Sequence, residues 1–195
     1  MQPLNERDLW PLTIYEGVRE QFRKEVIAAK QDRRVSVGPF MTFVFENRLT
    51  VKFQVQEILR VERISAPEAV RAELEGFNTM LPGAGELSAT LLIELSGNDA
   101  DVKAQLTKLS GLGRHLWLQL GGTRVAAVME GGRDDGQRVS AVQYVRFPVP
   151  DAKKLAAGPA AVVIDHPAYS YRQELPEAAR RSLAQDLDLG QESPG

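Results

Sequence analysis

The chain contains no cysteine. Disulfides, thiolate nucleophiles, iron–sulfur clusters held by protein thiolates and thiolate zinc sites are therefore excluded for this chain alone. Only two histidines, His115 and His166, are present. A metal site would need carboxylates as its remaining ligands, and no short ligand spacing such as HExxH occurs. We therefore expect neither a metal nor a cofactor.

Neither sign of charge dominates. The chain carries 24 Lys and Arg against 26 Asp and Glu, a net charge of −2 over 195 residues. That balance does not produce the positive field that nucleic acid or an anionic membrane surface attracts, so we expect neither partner. No apolar run approaches the roughly 20 residues of a membrane span. The first ten residues carry Glu6, Arg7 and Asp8 in place of a signal peptide's apolar core, and we expect a cytoplasmic protein.

Motifs that name a reaction are also missing. Gly111 and Gly113 lack the third glycine of a dinucleotide fingerprint, and they follow a predicted helix rather than a strand. The chain has neither a phosphate-binding loop nor the glycine-flanked serine of a nucleophile elbow. The sequence therefore leaves open whether the chain is an enzyme.

Apolar periodicity alternates between helical and strand-like segments. Helices are predicted over residues 13–30 (Thr13 as cap; stripe Ile14, Val18, Phe22, Val26), 47–64 (Asn47 as cap), 67–77, 98–109, 151–155 and 176–187. Strands are predicted over residues 33–38, 41–46, 87–95, 115–120, 123–129, 139–149 and 161–165. Short turns join most of them, which favours an α+β fold with a mostly antiparallel sheet, hairpins and about five helices packed on it. We expect a single domain over residues 1–190, a polar loop over 130–137 and a flexible C-terminal tail over 191–195.

The predicted helix over 47–64 is apolar on two sides, which indicates that it is sandwiched and that some of its charged groups are partly buried. One interpretation is an acid–base pocket in which three carboxylates act as base or ligands, two guanidinium groups hold anions and one imidazole carries protons. These candidates are Glu46, Glu57, Glu62, Arg48, Arg60 and His166. It predicts that they converge on one concave pocket. The other interpretation is a structural salt-bridge network that fixes the helix in place.

A second set of candidates lies on the hairpin predicted at Gly121-Gly122. A two-residue turn places Gln119 opposite Arg124, Trp117 opposite Ala126 and His115 opposite Val128, all on one face. An imidazole, an indole, an amide and a guanidinium on one face suit a ligand or a partner protein; the alternative is an ordinary solvent face on which Trp117 is packed.

The pair Asp165-His166 at a strand end is a third clue. It would suit a carboxylate-oriented imidazole, acting as a base or a metal ligand. Neighbouring residues of a strand point to opposite faces, however, so direct pairing of these two side chains is not assured.

These segments together resemble a bacterial family known as domain of unknown function number 3501. The matching stretches are residues 33–39, 45–48, 54–64, 117–119 with 121–122, and 165–169, and the resemblance runs from Leu9 to Leu187. Leu49 departs from it, since the family pattern leads us to expect an aspartate after Arg48. The resemblance implies no reaction. It implies a redox or peroxide-stress setting, because members tend to be encoded beside rubrerythrin-like proteins and iron–sulfur oxidoreductases.

Two hypotheses follow. The favoured one is a non-catalytic accessory or binding module of such a redox system, which contacts a redox protein or a small-molecule ligand. Its contact surface would be the face of Trp117, Gln119, Arg124 and His115, or its ligand pocket would lie at the polar helix. The alternative is a small acid–base or metal-assisted enzyme that uses the Glu, Arg and His candidates. A homodimer is compatible with either hypothesis.

Overall fold

The structure, a computed structural model, describes residues 1–131, 139–149 and 151–189. Over these residues the chain has an α+β fold whose strands all pair antiparallel, as predicted, but in two sheets rather than one. The helices are α1 (Leu12–Gln31), α2 (Arg48–Val61), α3 (Pro67–Asn78), α4 (Asp99–Lys108), α5 (Ala152–Ala157) and α6 (Glu177–Leu189). The strands are β1 (Arg34–Val37), β2 (Met41–Phe45), β3 (Glu86–Ile93), β4 (Leu116–Leu120), β5 (Thr123–Ala126), β6 (Val128–Met129), β7 (Val142–Pro148), β8 (Ala160–His166) and β9 (Tyr169–Glu174).

The two sheets pack face to face. The first sheet has the strand order β1-β2-β3-β7-β6, and the second has the order β5-β4-β8-β9. Alternate side chains of both sheets meet in one apolar core, among them Phe43, Phe45, Leu91 and Phe147 from the first sheet and Leu118, Val162 and Ile164 from the second. Because side chains alternate along each strand, one face of each sheet lies in this core and the other face points away from it.

The chain passes from the second sheet to the first at Ala127. The predicted hairpin at Gly121-Gly122 is confirmed, with Gln119 opposite Arg124. The predicted pairing of His115 with Val128 is wrong, because the strand over 123–129 breaks after Ala126 and Val128 pairs with Arg146 of the first sheet. A segment that changes sheets at the corner of a sandwich can form backbone hydrogen bonds with strands of both sheets.

Strand β9 was not predicted. It pairs with β8 through a two-residue turn, with His166 opposite Tyr169, and five of its six residues are exposed. An exposed edge strand lacks the alternation of buried and exposed side chains by which a strand is recognised in a sequence.

Helices α2 and α3 pack against the outer face of the first sheet at Tyr144, and α1 packs on α2. Asn47 caps α2 as predicted, since its side chain accepts the Thr50 N–H while the Thr50 hydroxyl accepts the Asn47 N–H. Thr13 is not the cap of α1; the helix starts at Leu12, after Pro11. Of the predicted α1 stripe, Phe22 and Val26 are buried but Ile14 is half-exposed.

The predicted loop over 130–137 lies outside the described residues except for Glu130 and Gly131, and the predicted tail over 191–195 lies wholly outside them. In the part of the chain that the structure describes, no helix combines the length and apolarity needed to cross a membrane.

Candidate functional site

A cavity of about 240 Å³ opens at the outer face of the first sheet. This face carries polar side chains because it alternates with the core face: Ser88 and Thr90 point out of β3, and Tyr144 and Arg146 point out of β7. Thr79 and a second carboxylate, Glu130, also line the cavity. The apolar part of the wall comes from Met80, Val128, Met129 and parts of Ala89 and Val145. The cavity therefore combines a few fixed polar groups with an apolar surface, as small-molecule sites do.

Glu46 lies at this cavity and is 4% exposed. Its carboxylate accepts hydrogen bonds from three neutral groups. The Thr90 hydroxyl donates to Oε1 at 2.7 Å, while the Thr50 hydroxyl and the Gln54 amide donate to Oε2 at 2.5 and 3.1 Å. No Lys or Arg of the described chain forms an ion pair with it. This is a buried carboxylate whose neighbours satisfy its oxygens without balancing its charge.

The local sequence explains how Glu46 is held. It directly follows β2, and its N–H donates to the Ser88 carbonyl at 2.9 Å, which extends the ladder by one residue and turns the side chain to the cavity face. The next residue, Asn47, caps α2, so the first turns of that helix bring Thr50 and Gln54 over the carboxylate. The positive end of the helix dipole also lies at this point and favours a negative group.

Arg146 stands on the same wall and was not among the sequence candidates. Its Nη1 donates to Glu86 Oε2 at 3.0 Å, and its Nη2 donates to the Thr79 carbonyl. The alternation of β7, in which Val145 and Phe147 are buried, could have placed Arg146 on the face opposite the core. Its neighbour Ser88 could not be foreseen, because pairing between β3 and β7 joins segments about 60 residues apart.

The Glu57 carboxylate is part of a different group of side chains, between α1 and α2. Arg19 binds it with two N–H groups at 2.8 Å each, the Tyr15 hydroxyl donates at 2.9 Å, and Arg60 Nε donates at 3.3 Å. The hydrogen bonds from Arg19, more than any other influence, lower the pKa of Glu57 to about 2. Burial in turn raises the pKa of the Tyr15 phenol. This arrangement matches the salt-bridge interpretation of the predicted helix, since each partner of Glu57 either comes from α1 or lies one turn away on α2.

The remaining acid–base candidates lie elsewhere. Arg48 pairs with Asp8 at 2.6 Å, and Glu62 is the exposed residue that follows α2. His166 is the buried last residue of β8 in the second sheet, where its Nδ1 accepts the Ala168 N–H at 3.1 Å and its Nε2 donates to the Ser110 carbonyl at 3.2 Å. Of the six candidates only Glu46 lines the cavity, so the predicted convergence on one pocket is wrong.

The hairpin candidates do come together, around Asp165. Its Oδ1 accepts from Trp117 Nε1 at 2.9 Å and from His115 Nδ1 at 3.2 Å, and its Oδ2 accepts from Arg124 at 3.1 Å. The Trp117 N–H is the largest influence that lowers the pKa of Asp165. Gln119 instead donates to the Gly121 carbonyl of its own turn. The imidazole that Asp165 orients is that of His115, across the sheet, and not that of the adjacent His166.

In the described ranges, no three side chains of His, Asp or Glu come close enough together to hold a metal ion.

The fold and the cavity define a class: an α+β protein of two packed antiparallel sheets, with a polar cavity on the outer face of the first. The chain belongs to the family described as "Protein of unknown function (DUF3501)", whose family model matches residues 3–187. This confirms the resemblance seen in the sequence. No curated protein matches the chain.

A solved structure of the same fold is similar to this chain. It is a novel protein of unknown function from Burkholderia pseudomallei, 32% identical, with a TM-score of 0.89; the match covers 96% of this chain and 100% of that one. The similarity extends over the whole arrangement of sheets and helices and attaches no reaction to it.

Proposed function

We propose that this chain is a non-catalytic ligand-binding module and that its ligand is a small organic cation held in the cavity beside Glu46. The observation that carries the proposal is the Glu46 carboxylate, which is 4% exposed and is bound by two hydroxyls and one amide, with no Lys or Arg among its partners in the described residues. Transfer of an unpaired carboxylate out of water is costly, and neutral donors offset only part of that cost. A protonated amine in the cavity would supply the missing charge and a charge-assisted hydrogen bond.

The size of the cavity limits the ligand. A cavity of roughly 150 Å³ accommodates benzene, which has six heavy atoms, so about 240 Å³ admits roughly ten. The apolar part of the wall, which includes Met80, Val128 and Met129, suits an aliphatic body attached to the charged group. Binding without catalysis is favoured because the three described side chains that hydrogen-bond Glu46 are two alcohols and an amide. An acid–base reaction needs a second proton-transfer group within hydrogen-bonding reach of the first, and none of these three groups titrates near neutral pH.

The test is titration calorimetry at neutral pH with n-pentylamine as the probe. We expect the unaltered chain to bind it and Glu46→Gln to bind it at least about tenfold more weakly, because a charge-assisted hydrogen bond contributes roughly 1.5–3 kcal/mol. Glu62→Gln is the matched control: it removes an equal charge from an exposed position near the end of α2 and should leave the affinity unchanged. Absence of binding to the unaltered chain, or equal binding by Glu46→Gln, contradicts the proposal.

We also propose that the module serves a cytoplasmic bacterial redox or peroxide-stress system, the setting that the family resemblance implies. The surface that supports contact with a redox protein is the one around Asp165, because three hydrogen bonds to that carboxylate hold Trp117, His115 and Arg124 in place at a partly exposed face. A preorganised indole loses little conformational entropy on binding, which suits a contact surface.

This partner surface is tested by capture on an immobilised rubrerythrin-like protein from the same host. We expect the unaltered chain to be captured and Trp117→Ala to bind about tenfold or more weakly, as truncated aromatic anchors do. Gln173→Ala is the control, since Gln173 is an exposed residue of β9 that takes no part in the Asp165 cluster. Equal capture of Trp117→Ala would exclude this surface, and failure of the unaltered chain to bind would exclude the partner.

A further inference from the structure

The cavity that carries Glu46 also carries a cation, Arg146, on the same sheet face. Glu46 lies opposite Ser88, and Ser88 lies opposite Arg146, so the two charged residues are two strands apart in one row. Two strand spacings separate their backbones by about 10 Å. The two side chains do not pair with each other, because Arg146 pairs with Glu86 and Glu46 is bound by neutral donors.

The Arg146 guanidinium is held in place by two hydrogen bonds, and its other N–H groups bind no described residue. Glu86 and the Thr79 carbonyl hold one N–H on each of its two terminal nitrogens. A guanidinium has five N–H groups in a planar fork, so three of them make no hydrogen bond to a described residue. A carboxylate is the group that such a fork binds best, because two parallel N–H groups match its two oxygens.

We infer that the ligand is a zwitterion, an aliphatic amino acid whose ammonium group binds Glu46 and whose carboxylate binds Arg146. This inference rests on the proposed function and deepens it, since it names the class of cation that the cavity accepts. The two polar anchors would leave the hydrocarbon part of the ligand against Met80, Val128 and Met129. A simple amine would satisfy Glu46 alone, and a simple carboxylate would meet the uncompensated charge of Glu46.

A strictly structural role for Arg146 is the alternative. By binding Glu86 of β3 and the Thr79 carbonyl just after α3, the side chain also ties α3 to the first sheet. The experiment must therefore distinguish loss of the structural contacts of Arg146 with Glu86 and Thr79 from loss of its contact with the ligand.

Three probes differ only in their charged groups: L-norleucine, n-pentylamine, which lacks the carboxylate of norleucine, and hexanoate, which lacks its ammonium group. Titration calorimetry on the unaltered chain should show norleucine binding at least about tenfold tighter than either of the others, as expected for one additional bidentate charged contact. Equal affinity for norleucine and pentylamine would overturn the zwitterion while leaving the proposed function intact. Failure of all three to bind would overturn both.

Two variants locate the carboxylate contact. Arg146→Met keeps the aliphatic stem and removes the guanidinium; norleucine affinity should fall about tenfold, to that of pentylamine, while pentylamine affinity stays unchanged or rises. Glu86→Gln loosens the same tie but retains the guanidinium, and it should bind norleucine as tightly as the unaltered chain. If Glu86→Gln loses norleucine as Arg146→Met does, Arg146 is a structural tie and the inference fails. Thermal melts confirm that both variants fold.

Discussion

Two glutamates of the α2 region show how the partners of a carboxylate decide its role. Glu57 is bound by two guanidinium groups and a phenol, and Arg19 alone accounts for two of its hydrogen bonds. Glu46 is more deeply buried, yet the described side chains that donate to it are two hydroxyls and one amide. The charge of Glu57 is balanced within the fold, so we expect it to stabilise the fold. The charge of Glu46 is balanced by no Lys or Arg of the described residues, and for that reason we propose Glu46 as the ligand contact.

We predict that Glu57→Gln lowers the free energy of unfolding at neutral pH by about 1–2 kcal/mol. The lowered pKa of Glu57 means that its charged form stabilises the folded state, so its removal should destabilise the protein. Water screens part of this stabilisation because the carboxylate is about a quarter exposed. Glu20→Gln is the control, because Glu20 touches the same Arg19 from an exposed position and should cost only a few tenths of a kcal/mol. Urea unfolding of the variants measures both values, and equal costs would contradict the prediction.

The same pair predicts a pH dependence. The folded-state pKa of Glu57 is about 2, below the ordinary value of 4.5, so its contribution is fully present above about pH 5. As the pH falls from 4.5 towards 2, the unfolded chain takes up this proton first and the contribution is lost. Glu57→Gln should therefore flatten the decline of stability in that window. A decline that is identical in the variant would mean that other carboxylates cause it.

At the scale of elements, helix α6 buries Leu183, Ala184 and Leu187 in the core between the sheets and is also joined to the first sheet by a buried ion pair. Arg33, just before β1, binds both oxygens of Asp186 at 2.5 and 3.0 Å and also the Ser182 hydroxyl at 3.0 Å. Both side chains of the pair are at most 6% exposed. Burial raises the pKa of the Asp186 carboxyl even though Arg33 opposes the rise, so desolvation of the carboxylate outweighs the attraction.

We predict that Arg33→Met and Asp186→Leu each lower the free energy of unfolding by about 3–5 kcal/mol, because each leaves a buried charge without its partner. The double variant should recover most of that loss, since no charge then remains buried, and a double-mutant cycle would show strong coupling. Urea unfolding gives all four values. Additive losses would show that the two side chains act independently and that the ion pair does not hold α6.

At the scale of the whole molecule, a two-sheet sandwich carries α2 and α3 on the outside of its first sheet, and α1 covers α2. The number of sheets could not be predicted from the sequence. The alternation of β5 continues through Ala127 without a break, and only the tertiary structure shows that Val128 pairs within the other sheet. The turn at Gly38 also has a reason that only the tertiary structure contains. Its φ is +72°, and a Cβ there would overlap the Tyr171 ring of β9. The pair Gly38-Pro39 predicted a turn here from the sequence, but it gave no sign of the contact with Tyr171.

The candidate site was predicted in part. Glu46 was among the six acid–base candidates, and the hairpin register correctly placed Trp117 and Arg124 on one face. His115 joins them through its hydrogen bond with Asp165 and not through the predicted pairing with Val128. Arg146 was missed, because its place beside Glu46 depends on the pairing of β3 with β7. The other five candidates were wrongly joined to Glu46. A helical wheel gives the angular position of each side chain around the axis of α2. It does not show which helix or strand packs against each side.

The sequence by itself determined the local structure: where α2, α3 and α4 begin, the hairpins at Gly38 and Gly121, the antiparallel pairing and the family. These features depend on caps, turns and periodicity within about 20 residues, which are written in neighbouring side chains. Only the tertiary structure decided that the strands form two sheets and that Glu46 and Arg146 share a cavity while Glu57 pairs with α1. Those outcomes depend on contacts between distant segments, and many pairings of the same apolar strands satisfy the local pattern equally well.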